Sequence, residues 1–140
     1  MAPTFSQVYL HIIFSVKGRE NLLDISWREE VFKYMSGIIT NKRQKSIIVG
    51  GTENHVHLLV GFSPSINISD LVRDVKNNSS KFINQNKLKN YKFVWQEGFG
   101  VFSYSRSQLD TVYNYIKNQE EHHKSKSFEE EYVGFLKKFE

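Results

Sequence analysis

Cysteine is absent from this chain of 140 residues. The absence excludes a disulfide scaffold and thiolate zinc sites, and it is compatible with a reducing cytoplasm. No apolar run approaches the length of a membrane-spanning helix, and the segment from Met1 to Thr4 lacks the charged-then-apolar pattern of a signal peptide. Linkers, repeats and low-complexity segments are also missing, so we expect one domain covering residues 1–140.

The composition is that of a globular chain with a local basic excess. Apolar residues make up 39% of the sequence and charged residues 24%, and the net charge is +4. Residues 67–95 carry only Asp70 and Asp74 against six basic residues. Such a cluster favours a polyanion as partner over an evenly solvated surface. The six are Arg73, Lys76, Lys81, Lys87, Lys89 and Lys92.

Residues 7–16 alternate in the manner of a strand with one core face. Val8, Leu10, Ile12, Phe14 and Val16 share that face. His11 lies on the opposite face, where it could join a functional site. A single histidine on a sheet is more often structural.

A second strand is predicted at residues 55–62 by a run of branched apolar residues that ends near Gly61. Alternation points Val56 and Leu58 to the core and places His55 and His57 side by side on the other face, with Cα atoms about 7 Å apart. Two imidazoles on one sheet face can bind a single metal ion. Taken alone, the pair is more often two polar residues on a wetted strand.

The remaining periodicity gives alternating helices and strands. Ser26 with Glu29 predicts a capping box, and Asn67 or Ser69 can cap a second helix. The pattern predicts a helix at about 27–42, a strand at 46–52, a helix ending at about 86, and two short strands around a glycine-rich bend at 92–103. The predicted fold is α+β, a ferredoxin-like or RRM-like β-α-β-β-α-β antiparallel sheet. Helices covering one face would leave the face of His55 and His57 open.

Two further helices are predicted towards the C-terminus. Ser107, with Asp110 at the third helical position, would cap a helix at 108–123, and Ser127 with Glu130 would cap a terminal helix. The terminal helix carries an apolar stripe that is large for so short a chain, which predicts a homodimer interface. The stripe consists of Phe128, Tyr132, Phe135, Leu136 and Phe139.

On the helix at 108–123, Tyr113 and Ile116 lie on the apolar stripe, whereas Tyr115 lies about 110° from its centre and shares its side with Gln119. His55, His57 and Gln119 could supply two imidazoles and one amide oxygen to a metal ion. A metal held in this way can polarise a phosphodiester, and a tyrosine hydroxyl can act as the nucleophile.

These segments together resemble a known family. Glu53–Leu59 contains the His-apolar-His pattern called the HUH motif, and Tyr115–Gln119 is similar to the Tyr-Ile-x-Asn-Gln motif of single-tyrosine HUH transposases from bacterial insertion sequences (IS200-like). The segments Val8–Arg19, Leu71–Phe82 and Trp95–Ser105 also fit the layout of that family. The resemblance therefore covers nearly the whole chain.

The resemblance implies a small dimeric bacterial enzyme of the cytoplasm, associated with the nucleoid when it binds DNA. It would cut and rejoin single-stranded DNA at hairpin-bearing element ends and form a 5′-phosphotyrosine. By the same resemblance Tyr115 is the nucleophile, and His55, His57 and Gln119 bind Mg²⁺ or Mn²⁺. Asn54 departs from the Asp that is common before the motif, and we do not expect it to be a ligand. The candidate DNA-binding residues are Lys17, Arg19, Arg73, Lys76 and Lys81.

Two alternatives stand beside this interpretation. The chain could be a catalytically silent or domesticated module that holds hairpin nucleic acid without cutting it, since open sheet faces of this fold also bind RNA. It could also be a metal-dependent hydrolase that uses water. A hydrolase needs no tyrosine, so Tyr115 discriminates between the possibilities.

Overall fold

The computed structural model describes residues 4–18, 22–86, 92–119 and 127–138. Arg106–Gln108 forms a 3-10 helix. None of the helices in these ranges has the length and apolar character needed to cross a membrane. The elements are, in order, β1 (Val8–Ser15), α1 (Ile25–Asn41), β2 (Lys45–Gly51), β3 (His55–Phe62), α2 (Ile68–Gln85), β4 (Gly100–Tyr104), α3 (Leu109–Lys117) and α4 (Phe128–Lys138).

The strands of the described chain form one antiparallel sheet in the order β2-β3-β1-β4. β1 is therefore central and pairs with both β3 and β4. Its register sets Ile13 opposite His57 and His11 opposite Leu59. Because neighbouring positions on a strand alternate faces, His11, His55 and His57 all project from the same side of the sheet. The predicted β-α-β-β-α-β architecture is confirmed.

The opposite side of the sheet packs against α1 and α2 and forms the main core. Leu10, Ile12 and Phe14 from β1 contribute to it together with Val56 and Leu58 from β3, as their alternation predicts. The helices contribute the buried side chains of Val31, Phe32, Met35, Ile38 and Ile39 from α1 and Leu71, Val72, Val75 and Ile83 from α2.

The histidine face of the sheet is covered, and the expectation that it is open is wrong. α3 and α4 pack there around Ile13 and Leu59 in a second apolar cluster. The reason is that both helices have apolar stripes, which bury their surface against the apolar side chains that this face also presents. His55 and His57 are consequently fully buried.

The helix boundaries differ from the predicted ones at two caps. Asp24, rather than Ser26, caps α1, and its carboxylate accepts hydrogen bonds from the Ser26 amide and hydroxyl. Ser105, rather than Ser107, forms a capping box at the 3-10 helix before α3. Asn67 caps α2 as predicted, accepting from the backbone amide of Asp70 at 2.8 Å. At the two caps that were predicted at the wrong residue, an oxygen-bearing side chain earlier in the sequence pairs with the first backbone amides of the helix.

Ser127 caps α4 as predicted, because its hydroxyl accepts from the Glu130 amide at 3.2 Å. The segment at 92–103 holds one named strand instead of the two predicted. Trp95 makes an isolated bridge to Val16, and β4 begins at Gly100. Gly98 in the bend between them has a φ of 85°, a conformation that favours glycine.

Candidate metal and tyrosine site

The two histidines of the HUH motif converge as their spacing predicts. Their ring centroids lie 4.9 Å apart on the face of β3 that α3 and α4 cover. The Nε2 atoms of His55 and His57 lie 3.4 and 3.1 Å from the same oxygen, Oε1 of Glu131. One carboxylate therefore faces both imidazoles.

Glu131 belongs to α4 and was not among the residues singled out in the sequence. It is 3% exposed, which is rare for a glutamate unless its charge is paired. The sequence does contain a signal for Glu131. This residue lies four positions before Phe135, so its side chain is on the same side of the terminal helix as the apolar stripe. A charged residue in that position indicates a polar site beneath the helix.

Gln119 follows α3 and also reaches the histidines. Its Oε1 lies 3.0 Å from Nε2 of His55, and its Nε2 donates to the backbone carbonyl of Tyr115 at 3.2 Å. The second bond orients the amide so that the oxygen faces His55. The structure thus brings together all of the residues that the sequence assigned to a metal and a nucleophile.

These donors fit a divalent cation. One ligand atom from each of His55, His57 and Glu131 lies within 4.8 Å of the others. Imidazole nitrogen and carboxylate oxygen are ligands of first-row divalent metals, and the amide oxygen of Gln119 adds a further donor. The three residues can hold a metal ion, with the carboxylate offsetting part of its charge.

The other nitrogen of each imidazole is held by a side chain behind the site. Nδ1 of His55 lies 2.7 Å from Oδ1 of Asn54 and 3.0 Å from Oγ1 of Thr52. An amide oxygen can only accept, so Asn54 favours the proton on Nδ1 of His55, which is the tautomer that would leave the Nε2 lone pair for a metal ion. Nδ1 of His57 lies 2.6 Å from Nε2 of His11.

Tyr115 stands at the edge of this cluster within the same chain. Its ring meets that of His57 edge-on, with centroids 5.9 Å apart, and its hydroxyl hydrogen-bonds with Glu131 and Gln119. Burial, and then the bond to Glu131, raise the pKa of the hydroxyl well above its ordinary value. In the metal-free protein Tyr115 is therefore a protonated phenol that requires activation.

Tyr113 does not lie on the buried stripe as predicted, since 37% of its surface is exposed. α4 packs against the other side of α3, where Tyr115 meets Phe135 edge-on at 5.6 Å. Val112 and Ile116 remain buried against the sheet. The buried side of α3 is therefore rotated from Tyr113 towards Tyr115.

Burial and charge act in opposite directions on Glu131. Burial by itself would raise the pKa of this carboxyl, but its contacts with His55 and His57 outweigh burial and hold the pKa well below its usual range. Glu131 is thus an anion inside the protein. Burial, followed by the neighbouring His57, lowers the pKa of His11 well below 6.5, so that imidazole is neutral.

A cavity of about 300 Å³ lies between α3 and α4 and reaches Tyr115 and Glu131. Tyr104 and Phe135 line its apolar side, and Lys138 adds a positively charged side chain to the lining. Burial raises the pKa of Tyr104 to about 12, so this phenol stays neutral. The cavity gives the nucleophile and the carboxylate an opening towards solvent.

The expected DNA-binding residues occupy different settings. Lys17 and Lys81 are exposed, whereas Arg73 forms ion pairs with Asp70 and Asp74. The ammonium group of Lys76 instead donates to the backbone carbonyls of Gln96 and Gly98, at 2.9 and 2.7 Å, and lies over the ring of Phe14. Arg19 lies outside the described residues.

Comparisons with known proteins give one matching family model and solved structures with a similar fold. The family model described as "Transposase IS200 like" matches residues 4–119. The crystal structure of a candidate transposase from Deinococcus radiodurans R1 has the same fold, with a TM-score of 0.65 and 22% identity over 85% of this chain and 95% of that one.

A REP-associated tyrosine transposase bound to a REP hairpin also has this fold, with a TM-score of 0.62 and 13% identity over 88% of this chain and 73% of that one. No curated protein matches the sequence.

Proposed function

Because the chain belongs to the family of IS200-like transposases, we propose that it cuts and rejoins single-stranded DNA at hairpin-bearing ends through a covalent tyrosine intermediate. Residues 1–140 would act as one HUH transposase domain. The proposed setting is the bacterial cytoplasm, with the protein at the nucleoid when it binds DNA.

One observation carries the proposal: a tyrosine hydroxyl and four side chains of the types that bind metals meet in one cluster. Glu131 contacts both imidazoles and the hydroxyl of Tyr115, while Gln119 contacts His55. A structural role alone would not require so many polar groups at one buried point, where each costs desolvation free energy. Such a convergence is typical of a catalytic site.

In the proposed reaction, Oη of Tyr115 attacks the scissile phosphorus. The Tyr115–phosphate bond forms as the bond from phosphorus to the 3′-oxygen breaks, and the phenolic proton leaves as the 3′-oxygen gains one. The products are a 5′-phosphotyrosine and a free 3′-hydroxyl. Attack of a 3′-hydroxyl on that linkage reverses the exchange and joins strands without a nucleotide cofactor.

His55, His57 and Gln119 would hold Mg²⁺ or Mn²⁺ together with Glu131. A bound ion supplies Lewis-acid polarisation of the phosphate. The residues of the chain prepare the reaction: Asn54 keeps the His55 lone pair facing the site, and Glu131 accepts the hydrogen bond of the Tyr115 hydroxyl. α3 and α4 cover the cluster, and the cavity between them reaches Tyr115 and Glu131.

The proposed partner is single-stranded DNA that folds into hairpins. The basic excess in residues 67–95 supports a polyanion, and the hairpin bound by a structural neighbour supports this form of DNA. Lys17, Arg19, Arg73 and Lys81 are the proposed phosphate contacts, whereas the ammonium group of Lys76, also expected there, is held by backbone carbonyls. Binding should weaken steeply with salt, because cationic contacts displace counterions from DNA.

We also propose that two copies of the chain associate. Tyr132 and Phe135 of the terminal stripe are partly buried within their own chain, which narrows the surface available to a partner. Val133 and Leu136 remain about half exposed on α4. A monomer mass by light scattering at working concentration would rule out this association.

A covalent-adduct assay tests the central proposal. Wild-type protein incubated with labelled hairpin DNA and Mn²⁺ or Mg²⁺ should give a protein–DNA adduct that survives a denaturing gel. A chelator should prevent it, and unstructured strands should react less. If hairpin DNA binds but no adduct forms with either metal, the non-cutting binding module is the better interpretation.

A further inference from the structure

His11 is a buried histidine for which the proposed chemistry has no use so far. It projects from β1 beside the HUH histidines, is fully buried, and places Nε2 2.6 Å from Nδ1 of His57. We infer that His11 is a positioning residue whose Nε2 accepts a hydrogen bond from the Nδ1–H of His57 and thereby keeps the His57 Nε2 lone pair facing the metal site. The inference rests on the proposed metal site and adds a residue that would not touch the metal.

The two nitrogens of an imidazole have different roles in hydrogen bonds and metal binding. A neutral imidazole carries one proton, so a lone pair on Nε2 requires the proton to sit on Nδ1. For His57 the Nδ1 proton then needs an acceptor, and Nε2 of His11 is the atom within 2.6 Å. His11 can accept only if its own proton sits on Nδ1. The pair thus has one arrangement in which His57 is ready to bind a cation.

The cost of burying His11 supports a role of this kind. Its ring lies among Phe102, Tyr104 and Phe135, at centroid distances of 5.2 to 6.4 Å. Among the residues that the structure describes, Nδ1 of His11 has no hydrogen-bond partner. A leucine or phenylalanine would fill this apolar space without burying an unpaired polar atom. The bond to His57 is what the imidazole adds.

Both histidines of the motif have Nδ1 in contact with a nearby side chain, but the partners differ. Asn54 and Thr52 hold Nδ1 of His55 from the loop before β3, whereas His11 holds Nδ1 of His57 from the adjacent strand. His11 is therefore the counterpart of Asn54. Outer contacts of this type typically change metal affinity by about 10–100-fold when they are removed.

Mn²⁺ binding to the full chain provides the first test. Free Mn²⁺ would be measured by electron paramagnetic resonance during titration of wild type, His11→Leu, His11→Gln and Ile13→Val. His11→Leu should bind about 10–100-fold more weakly. His11→Gln keeps an oxygen acceptor and should recover most of the affinity. Ile13→Val trims the same face of β1 without altering a hydrogen bond, and it should bind as wild type does.

The second test uses the wild-type protein, so its result does not depend on whether a variant folds. Nitrogen NMR of the Zn²⁺-loaded protein should show the His57 proton on Nδ1, with a coupling across the hydrogen bond to Nε2 of His11. A His57 ring protonated on Nε2, or no coupling to His11, overturns the inference. So does a His11→Gln variant that folds and binds Mn²⁺ as weakly as His11→Leu.

His57→Ala distinguishes a failure of the proposed metal site from a failure of the role of His11. If His57→Ala loses Mn²⁺ while His11→Leu keeps wild-type affinity, the metal site stands and the role of His11 is refuted. If His57→Ala also keeps wild-type affinity, the proposed metal site fails and the role of His11 fails with it.

Discussion

Oε1 of Glu131 on the terminal helix lies 3.1 Å from Nε2 of His57 on the third strand, within a buried site. The contact makes α4 part of the site, because the helix contributes a charged group beneath the tyrosine. Displacing α4 would both expose the histidines and remove an anion from them. Metal binding, the tyrosine and the docking of this helix are therefore physically coupled.

Tyr115→Phe should abolish the covalent DNA adduct and leave metal binding nearly unchanged. The change removes one oxygen and retains the ring that packs edge-on against Phe135. Losing the hydrogen bond to Glu131 should cost about 1 kcal/mol of stability. The measurement is a denaturing gel of labelled hairpin DNA, with a parallel Mn²⁺ titration.

Tyr113→Phe is the matched control on the same helix. Tyr113 is 37% exposed and should retain both adduct formation and stability. An adduct formed by Tyr115→Phe, or lost only in Tyr113→Phe, would show that the nucleophile is assigned to the wrong residue.

Glu131→Gln should weaken Mn²⁺ affinity by about tenfold or more, since losing a direct ligand should cost at least as much as losing an outer contact. The amide keeps the size of the side chain but removes the charge that faces both imidazoles. Glu130→Gln changes an exposed carboxylate one position earlier and should have no effect. Equal Mn²⁺ affinities for the two variants, measured by isothermal titration calorimetry, would contradict a metal-binding role for Glu131.

Gly100→Ala should loosen the terminal helix. An added Cβ at Gly100 would lie 2.5 Å from the hydroxyl oxygen of Tyr132, next in sequence to Glu131. Overpacking of this kind costs about 1–3 kcal/mol, and Mn²⁺ affinity should fall as α4 shifts. Urea unfolding measures the stability, and Tyr132→Phe in the same chain should recover part of it. Additive losses in the double variant would show that the two groups do not collide.

The metal-free protein should lose stability as the pH falls below about 6.5. Burial keeps the pKa of folded His11 well below this value, so the unfolded chain binds more protons in the window between the two pKa values. The free energy of unfolding therefore rises with pH there, by at most about 1.4 kcal/mol per pH unit for one group.

Urea unfolding of the protein with a chelator, at about pH 7.5 and about pH 5.5, checks this dependence on the His11 pKa. The quantity compared is the midpoint of the urea transition. His11→Phe should show a smaller difference between the two midpoints than wild type. An unchanged difference would assign the pH dependence to other groups.

Lys76→Ala and Lys81→Ala should have different consequences, although both residues belong to α2. Lys76 donates to the carbonyls of Gln96 and Gly98, so its loss should reduce stability by about 1 kcal/mol. Lys81 is exposed and its loss should leave stability unchanged. In hairpin-binding titrations, Lys81→Ala should lower the salt dependence by about one counterion. A normal salt slope for Lys81→Ala would remove this residue from the DNA interface.

Local patterns predicted most of the fold and pointed to four of the residues that meet at the site, His55, His57, Tyr115 and Gln119. Strict alternation located β3 and put both histidines on one face, because side chains on a strand point to opposite sides in turn. Helical spacing predicted Tyr115 and Gln119 on one side of a helix, although α3 ends at Lys117, before Gln119. The order of elements gave the antiparallel sheet, since β-α-β-β-α-β has few ways to pack.

Only the tertiary structure decided what lies over the histidine face. Periodicity shows that α4 has an apolar side, but it does not say whether that side meets a second chain or its own sheet. Packing within the chain brings Glu131 to His55 and His57 and sets His11 behind His57. These are contacts between distant parts of the sequence, and burial selects them because a buried charge requires partners that no local pattern specifies.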